Sequence, residues 1–523
     1  MSKSLPNNKQ WDTERSSIPQ SSSLETNLSM LKETFDVCDD IVFQQAQFGN
    51  QSGCLVYLSE MINKETLIEI EQGLSSLIPQ NQQESKESVI TLIHRHYPFQ
   101  SENETQDLAI IVKKILSGHI ILLVDGIEQV FLFSSDNQTN RTWTESDRER
   151  TVRGPQAGFS ESIQTNLKLI RQKIQNPNLK VRYVTLGKQT NTKISVVYME
   201  GIADEEIVHE VHQRLSNIDI DGVLDSHYVE SMIKDSPRSP FPTVFNTARP
   251  DRVCGGLLDG KVAVLIDGTP SALTAPAMFV EFLHSSEDYY DTSLISTIIR
   301  WVRFLGLFVT LILPAFYVGM IMYHQDLLQS PFLMRIVANR EALPYPALVE
   351  ALFMLLTYEL LREAGLRMPK IFGGPVVTIL GLVLIGQAAV QAGIVGPVMA
   401  IVVSVTALTA FILPNYEFHQ VIRFCGIPLL LLAGFFGFMG IIVGLMFGLT
   451  HLVSLRSFGV PYFSPVSPAR KEGWKDVFIR APWWAMETRA PGIGVENMNR
   501  SGENNSATPP KTGKENRDEE NEG

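Results

Sequence analysis

Apolar and polar positions divide this chain into two regimes. Between 304 and 452, apolar runs recur at 304–323, 376–394, 398–413 and 429–452, each near the roughly 20 residues a helix needs to cross a hydrocarbon core. Gly393-Ile394-Val395-Gly396-Pro397 leaves only a tight turn between the second and third runs, so these predict a helical hairpin. The segment 346–365, PALVEALFMLLTYELLREAG, is as long but carries Glu350, Glu359, Arg362 and Glu363. It reads as a re-entrant or interfacial helix. As a fifth span it would put Arg456, Arg470, Lys471, Lys475 and Arg480 on the opposite side from Arg300 and Arg303, against the preference of basic flanks for the inner face. Four spans return both flanks to that face.

Ahead of 304 the pattern changes to strands and amphipathic helices. HIILLVDGIEQVFLF (119–133) and KVAVLIDGTP (261–270) each set a β-branched run before Asp-Gly, a strand-then-turn signal, and the first reads as a hairpin. KVRYVTLG (180–187) and KISVVYMEG (193–201) add two strands, followed by a helix over 204–215. The fold class is therefore α+β (mixed α/β) in a soluble head, followed by an all-α multispanning region. ILLVDG and AVLIDG recur in the two halves of the head, a pattern open to two related subdomains or to chance strand composition. The expected divisions are a disordered 1–28, subdomains at 29–150 and 151–290, a membrane domain at 291–456, an inner-side segment at 457–496 and a polar tail at 497–523.

Composition narrows the function. A net charge of -12 with no basic stripe excludes a phosphate-backbone binder, so no nucleic-acid partner is expected. Cys38, Cys54, Cys254 and Cys425 form no C-x-x-C pair, and His94/His96 and His209/His212 have no ligand-spaced companions, which predicts no metal and no cofactor. The chain shows no nucleotide-binding loop and no G-x-S-x-G elbow, so no enzyme is expected. The first residues lack an apolar signal core, which places the head on the side of synthesis.

Several residues invite a role, each beside a plainer reading. Glu350, between Val349 and Ala351 with no basic residue nearby in sequence, is a candidate rim carboxylate of an ion path; Glu359, Arg362 and Glu363 either share that rim or pair in water. Gln387 and Gln391 lie one turn apart with Leu380 and Leu384 on their stripe, beside small residues Gly386, Ala389 and Gly393. They either line and gate a pore formed by several copies or hydrogen-bond to helices of their own subunit. Gly437, Gly440, Gly444 and Gly448 form a close-packing stripe, and Pro314 bends its helix or lends it a hinge. In the head, Arg153 marks a turn or a subunit contact, Asp267 a plain turn or a coupling element, and Asp288 with Tyr289 and Tyr290 an anchor at the membrane surface or, for Asp288, a coupling contact.

The strings VRGPQAGFSESIQTN (152–166), RPDRV (249–253), LIDGTP (265–270), EDYY (287–290), LREAGLRMP (361–369) and FGVPYFSP (458–465), in this order over 35–491, resemble the A subunit of GerA-type spore germinant receptors. Sporulation proteins of the stage V AF type share the same core. The resemblance implies a receptor in the spore inner membrane, with head and tail on the core side. It also implies a multispanning B subunit that binds nutrient, a lipoprotein C subunit, and an A subunit that associates with itself into a ring and conducts ions on nutrient binding. A non-conducting signalling scaffold is the alternative; a secondary transporter has too few spans and no inverted repeat.

Overall fold

The computed structural model describes residues 23–48, 51–76, 107–134, 149, 151, 153–341, 343–368, 374–470, 473–489 and 497–500. The expected disordered segments at 1–28 and 497–523 fall largely outside these residues.

The head holds two antiparallel sheets. In the first, β1 (Ile41–Phe48), β2 (Gln51–Leu58), β3 (His119–Val124) and β4 (Phe131–Ser134) follow one another in sequence order. β3 reads as an unbroken apolar run because both its faces are covered. Ile121 and Leu123 meet α1 (Leu24–Thr34) and α3 (Leu108–Leu116), while Ile120 and Leu122 join the core beside α2 (Lys64–Ser76). The expected 119–133 hairpin is present as β3 and β4.

The second sheet has the order β5 (Leu179–Leu186), β6 (Thr192–Met199), β8 (Val262–Ile266), β9 (Ala272–Ala275), β7 (Phe245–Thr247). Val196 and Val264 pack beneath α5 (Glu205–Ser216) and α6 (Ser226–Ile233). Val197 and Leu265, pointing the other way, pack beneath α4 (Ile163–Lys173) and α7 (Pro250–Leu258). Asp204, at the start of the expected 204–215 helix, caps α5 by accepting from Glu206 N–H at 2.9 Å. A buried bidentate pair ties the two sheets: Arg171 Nε and a terminal nitrogen donate to the two Asp40 oxygens at 2.8 and 3.0 Å. Tyr183 adds a bond to Glu60 Oε1 at 2.6 Å.

The helical region contains α8 (Ser293–Tyr323), α9 (Ser330–Glu341), α10 (Ala347–Arg367), α11 (Gly374–Gln391), α12 (Pro397–Ala410) and α13 (Tyr416–Ser454). Of these, α8 and α13 are long and apolar enough to cross a membrane. The segment expected to lie at an interface, 346–365, is α10, and it runs antiparallel beside α11. Leu361 faces Gly381 and Met354 faces Gly386, with Ala351 and Met354 inside the bundle core.

The expectation of one straight run over 429–452 is corrected by the structure. Gly437 has φ +62° and ψ -142°, inside α13. A Cβ on Gly440 would overlap the carbonyl oxygen of Leu432, and one on Gly444 would sit 2.7 Å from Leu429 Cδ1. Residues 8 and 15 apart lie about 12 and 22 Å apart along a straight helix, so the chain must reverse at Gly437. It forms two arms, 416–436 and 438–454, that close on the glycine stripe. The Tyr323 hydroxyl donates to the carbonyls of Gly434 (3.0 Å) and Phe435 (2.9 Å), which the break strips of helical partners.

Both arm ends return to the head. Phe418 stacks on Phe282 at 5.6 Å, and His451 Nε2 lies 2.9 Å from Ser239 Oγ. With α8, α10, α11 and α12, the described residues make six helical passes, and the chain then re-enters the head. Ser457 donates to Thr243 O (2.6 Å) and accepts from Ala277 N–H (3.0 Å), while Phe458 and Val460 complete the core under α5.

Candidate functional site

The head meets the helices at a buried charge cluster. Ser285 and Asp288 form a reciprocal cap on the turn Ser286–Tyr289, which fixes the Asp288 carboxylate. Arg303 donates to it at 2.6 Å and Arg300 Nε at 3.3 Å; the two arginines are one turn apart on α8 and share a face. Arg300 also reaches Asp476 Oδ1 at 3.0 Å and the Asp476 backbone carbonyl, and Tyr289 donates to Asp476 Oδ2 at 2.8 Å. The side chains of Arg300 and Asp288 are 0% and 1% exposed. Asp288 was expected to be a surface anchor, with the arginines marking the inner face. They form an internal ion network instead, because Asp476, 176 residues beyond Arg300, folds back onto them.

RPDRV builds the next layer. Arg249 grips Asp251 through Nε (3.0 Å) and a terminal nitrogen (2.9 Å), and also donates to the carbonyls of Glu149 (3.1 Å) and Pro155 (2.8 Å). Burial pushes the Asp251 carboxyl up, but Arg249 and the Tyr290 hydroxyl at 2.6 Å outweigh it and hold the group below its usual range. Arg252 donates to the carbonyls of His284 (2.8 Å) and Glu281 (2.6 Å). Gly154, at φ +108°, lies flat on the Tyr290 ring, where any Cβ would clash. Arg153 pairs with Asp291 of its own chain at 2.8 Å in an exposed position. Asp267 accepts from Ile163 N–H at 3.0 Å, so the turn after β8 caps α4.

His284 sits in this layer. Burial and then the Arg300 and Arg252 charges lower its imidazole pKa well below the ordinary value of about 6.5. A group depressed in the folded state contributes stability that is complete above its unfolded pKa and is lost as pH falls through it. Lowering pH from 7.5 to about 5.5 is therefore expected to lower stability through this residue. The loss should vanish in His284→Phe melting curves taken across that range.

Among the helices, Glu350 is fully buried. It pairs with Arg340 of α9 at 3.0 Å and accepts from Gly396 N–H, at the start of α12, at 3.1 Å. Sequence spacing indicated no basic neighbour; the fold supplies one ten residues upstream by turning α9 back on α10. A double-mutant cycle over Glu350→Gln and Arg340→Gln is expected to give a coupling of about 1–3 kcal/mol in detergent unfolding. Additive effects would mean that the pair is not formed.

Glu359 meets Arg423 at 3.2 Å and Arg362 at 3.5 Å, and Arg362 donates to the Tyr416 hydroxyl at 2.9 Å. Glu363 pairs with Arg367 at the surface. Gln387 and Gln391 are exposed on the outer face of α11 beside Leu384, which is 65% exposed, and neither amide reaches a helix of its own subunit among the described residues. The small residues Gly386 and Ala389 face inward, Gly386 toward Met354 of α10. In α13, Gly437 forms the break, Gly440 and Gly444 the arm contact, and Gly448 opens on empty space. No group of three or more ligand-type side chains able to hold a metal occurs among the described residues; His94 and His96 lie outside them. Asp476, Arg340 and Arg423 were missed by sequence reasoning, and only the one-turn spacing of Arg300 and Arg303 signalled a shared partner.

A family model described as Bacillus/Clostridium GerA spore germination protein matches residues 29–491. The chain is 37% identical over 492 residues to spore germination protein KA of Bacillus subtilis (strain 168), covering 94% of this chain and 90% of that one. It is 37% identical over 470 residues to spore germination protein B1 of the same organism (90% and 96%). Against spore germination protein GerLA of Bacillus cereus it is 36% identical over 465 residues (88% and 94%). A crystal structure of the N-terminal domain of the A subunit of the Bacillus megaterium spore germinant receptor GerK3 aligns with 32% identity and a TM-score of 0.40, over 50% of this chain and 97% of that one.

Proposed function

The chain belongs to the GerA family, as a germinant-receptor A subunit acting in spore germination, and on that premise we propose that it is a nutrient-gated ion-conducting subunit of the spore inner membrane. The six helical passes cross the bilayer with head and tail on the core side. Several copies assemble into a ring with the nutrient-binding B subunit and the lipoprotein C subunit, and the ring releases cations when nutrient binds.

The observation that carries this reading is the outer face of α11. Gln387 and Gln391 sit there with Leu380 and Leu384, unpaired by their own subunit, while the opposite face of the helix is packed against α10. Two adjacent amides turned to lipid would be costly, whereas around a shared axis they meet water or each other and the leucines supply a dewetting gate. The head–helix charge cluster is the route by which a movement of the head reaches α8.

The test is potassium release from spores carrying Gln387→Leu with Gln391→Leu. Release is expected to fall by about tenfold or more at normal receptor level and ring size, as a hydrophobic constriction dewets. Wild-type release with both amides gone removes the pore assignment. A non-conducting scaffold that relays the B-subunit signal is the second reading, and the burial of Glu350 favours it, since that carboxylate is tied to Arg340 and rims no opening. Liposomes containing the purified receptor separate the two: nutrient-dependent potassium leakage supports conduction, and its absence supports the scaffold.

A further inference from the structure

A cavity of about 280 Å³ lies between α7, the turns at Phe279–Leu283 and Ser286–Tyr289, and the returning segment at 473–489 and 497–500. Its size sits at the lower edge of small-molecule sites, about 300–1,000 Å³. Aromatic and thioether side chains supply its apolar walls, among them Phe245, Tyr289, Trp483, Met278 and Met486.

The carboxylates around it are already matched, and Lys475, which is exposed to water, has no carboxylate partner among the described residues. Asp251 is held by Arg249, Asp259 by Arg500 at 3.1 Å, Glu281 by Lys261, and Asp476 by Arg300. Arg252 and Arg489 spend their donors on backbone carbonyls, Arg489 Nε on Leu258 O at 2.7 Å. A cationic occupant would leave an unmatched charge in a half-buried space or break one of these pairs, and an anionic one would gain, beyond arginines already committed to carbonyls, only the water-screened Lys475. Gly255, inside α7, lines the cavity, and a Cβ there would meet no heavy atom within 4 Å.

We propose that this cavity is a binding site for a small uncharged amphiphile with a flat apolar body and a single hydrogen-bonding group. Its ring lies against Trp483 and Tyr289, and its floor is the bare backbone at Gly255. Two of the wall residues also meet Arg300, Asp476 through an ion pair at 3.0 Å and Tyr289 through its ring at 5.6 Å, so an occupant braces the returning segment against the first helix of the bundle.

Full-length protein in detergent is titrated with indole, indole-3-acetate and tryptamine, which share a ring and differ in charge, and binding is read by saturation-transfer NMR. Partition into the micelle is common to all variants and cancels on comparison. Indole is expected to bind at least tenfold more tightly than either ion. Gly255→Ala is expected to retain binding and Gly255→Leu to lose it tenfold or more, with melting temperature unchanged or raised. Hydrogen exchange is expected to slow with indole at 252–261, 278–290 and 474–489. The proposal is overturned if indole fails to bind, if either ion binds as tightly, if Gly255→Leu binds like the parent chain, or if protection appears only elsewhere. None of these readouts depends on ion conduction, so the proposed channel can fail without affecting this one.

Discussion

Gly437→Leu is expected to prevent the helical region from closing, at a cost of about 2–6 kcal/mol. At φ +62° and ψ -142° the backbone lies close to a region that essentially only glycine occupies, and a side chain there costs about 1–3 kcal/mol. A Cβ would also stand 2.9 Å from the His324 ring and 3.0 Å from Tyr323 Cβ, and forcing extra volume into a packed site costs about 1–3 kcal/mol more. Against a typical stability of about 5–15 kcal/mol the sum is severe. If the two arms straighten into one 39-residue helix, it would be about 58 Å long, nearly twice a hydrocarbon core of about 30 Å, and its end would lie on the opposite face from its start. The measurements are receptor level in the membrane and labelling of a single cysteine placed at Ser454 from each side. Wild-type level, melting and labelling in Gly437→Leu would show that no reversal is needed there.

The second large effect is expected at Asp288. Asp288→Ala strands Arg303 and one face of Arg300 in a site with almost no exposure, and removing one partner of a buried pair costs about 3–5 kcal/mol. At about 2–4 °C per kcal/mol for a domain of 150–250 residues, melting should fall by roughly 10 °C or more. Asp288→Asn keeps volume and the cap but not the charge, and should recover only a minor part. Asp288→Leu combined with Arg303→Met is expected to recover most of the loss, because Arg300 retains Asp476 and the other two groups no longer need water. Differential scanning fluorimetry of the four proteins decides it; a drop of no more than a degree in Asp288→Ala would mean that the network holds nothing together.

What could be read in advance follows from where the determining contacts lie. β3, β5, β6 and β8 announce themselves because branched apolar runs end at turn residues, and α5 because Asp204 caps a helical period. β1 and β2 do not: FQQAQF and QSG dilute the strand signal with glutamine and glycine, and only pairing with β3 makes them strands. ALTA at β9 is too short and small to carry any period. The α+β head and the helical region behind it follow from composition, whereas the route of the helices does not. A glycine every three or four residues from 437 to 448 fits a straight helix against a neighbour as well as two arms against each other. Reading α10 as a pass and α13 as two arms leaves the same parity as four plain spans, so the expected siding of the flanks could not expose the difference. The candidate residues divide similarly. Gln387 and Gln391 lie on the face their spacing indicates, while Glu350 and Asp288 are claimed by Arg340, Arg300 and Arg303, contacts made by tertiary folding.

The re-entry of the chain at Ser457 has a consequence for biogenesis. The core under α5 lacks Phe458 and Val460, and the Arg300 network lacks Asp476, until every helical pass has left the ribosome. The nascent amino-terminal half thus waits incomplete throughout insertion, and the stretch from Ser457 to Asp476 acts as its closing clasp. A chain released early would expose an unfinished sheet face to quality-control proteases, which makes maturation of the soluble half a report that the whole polypeptide has been threaded.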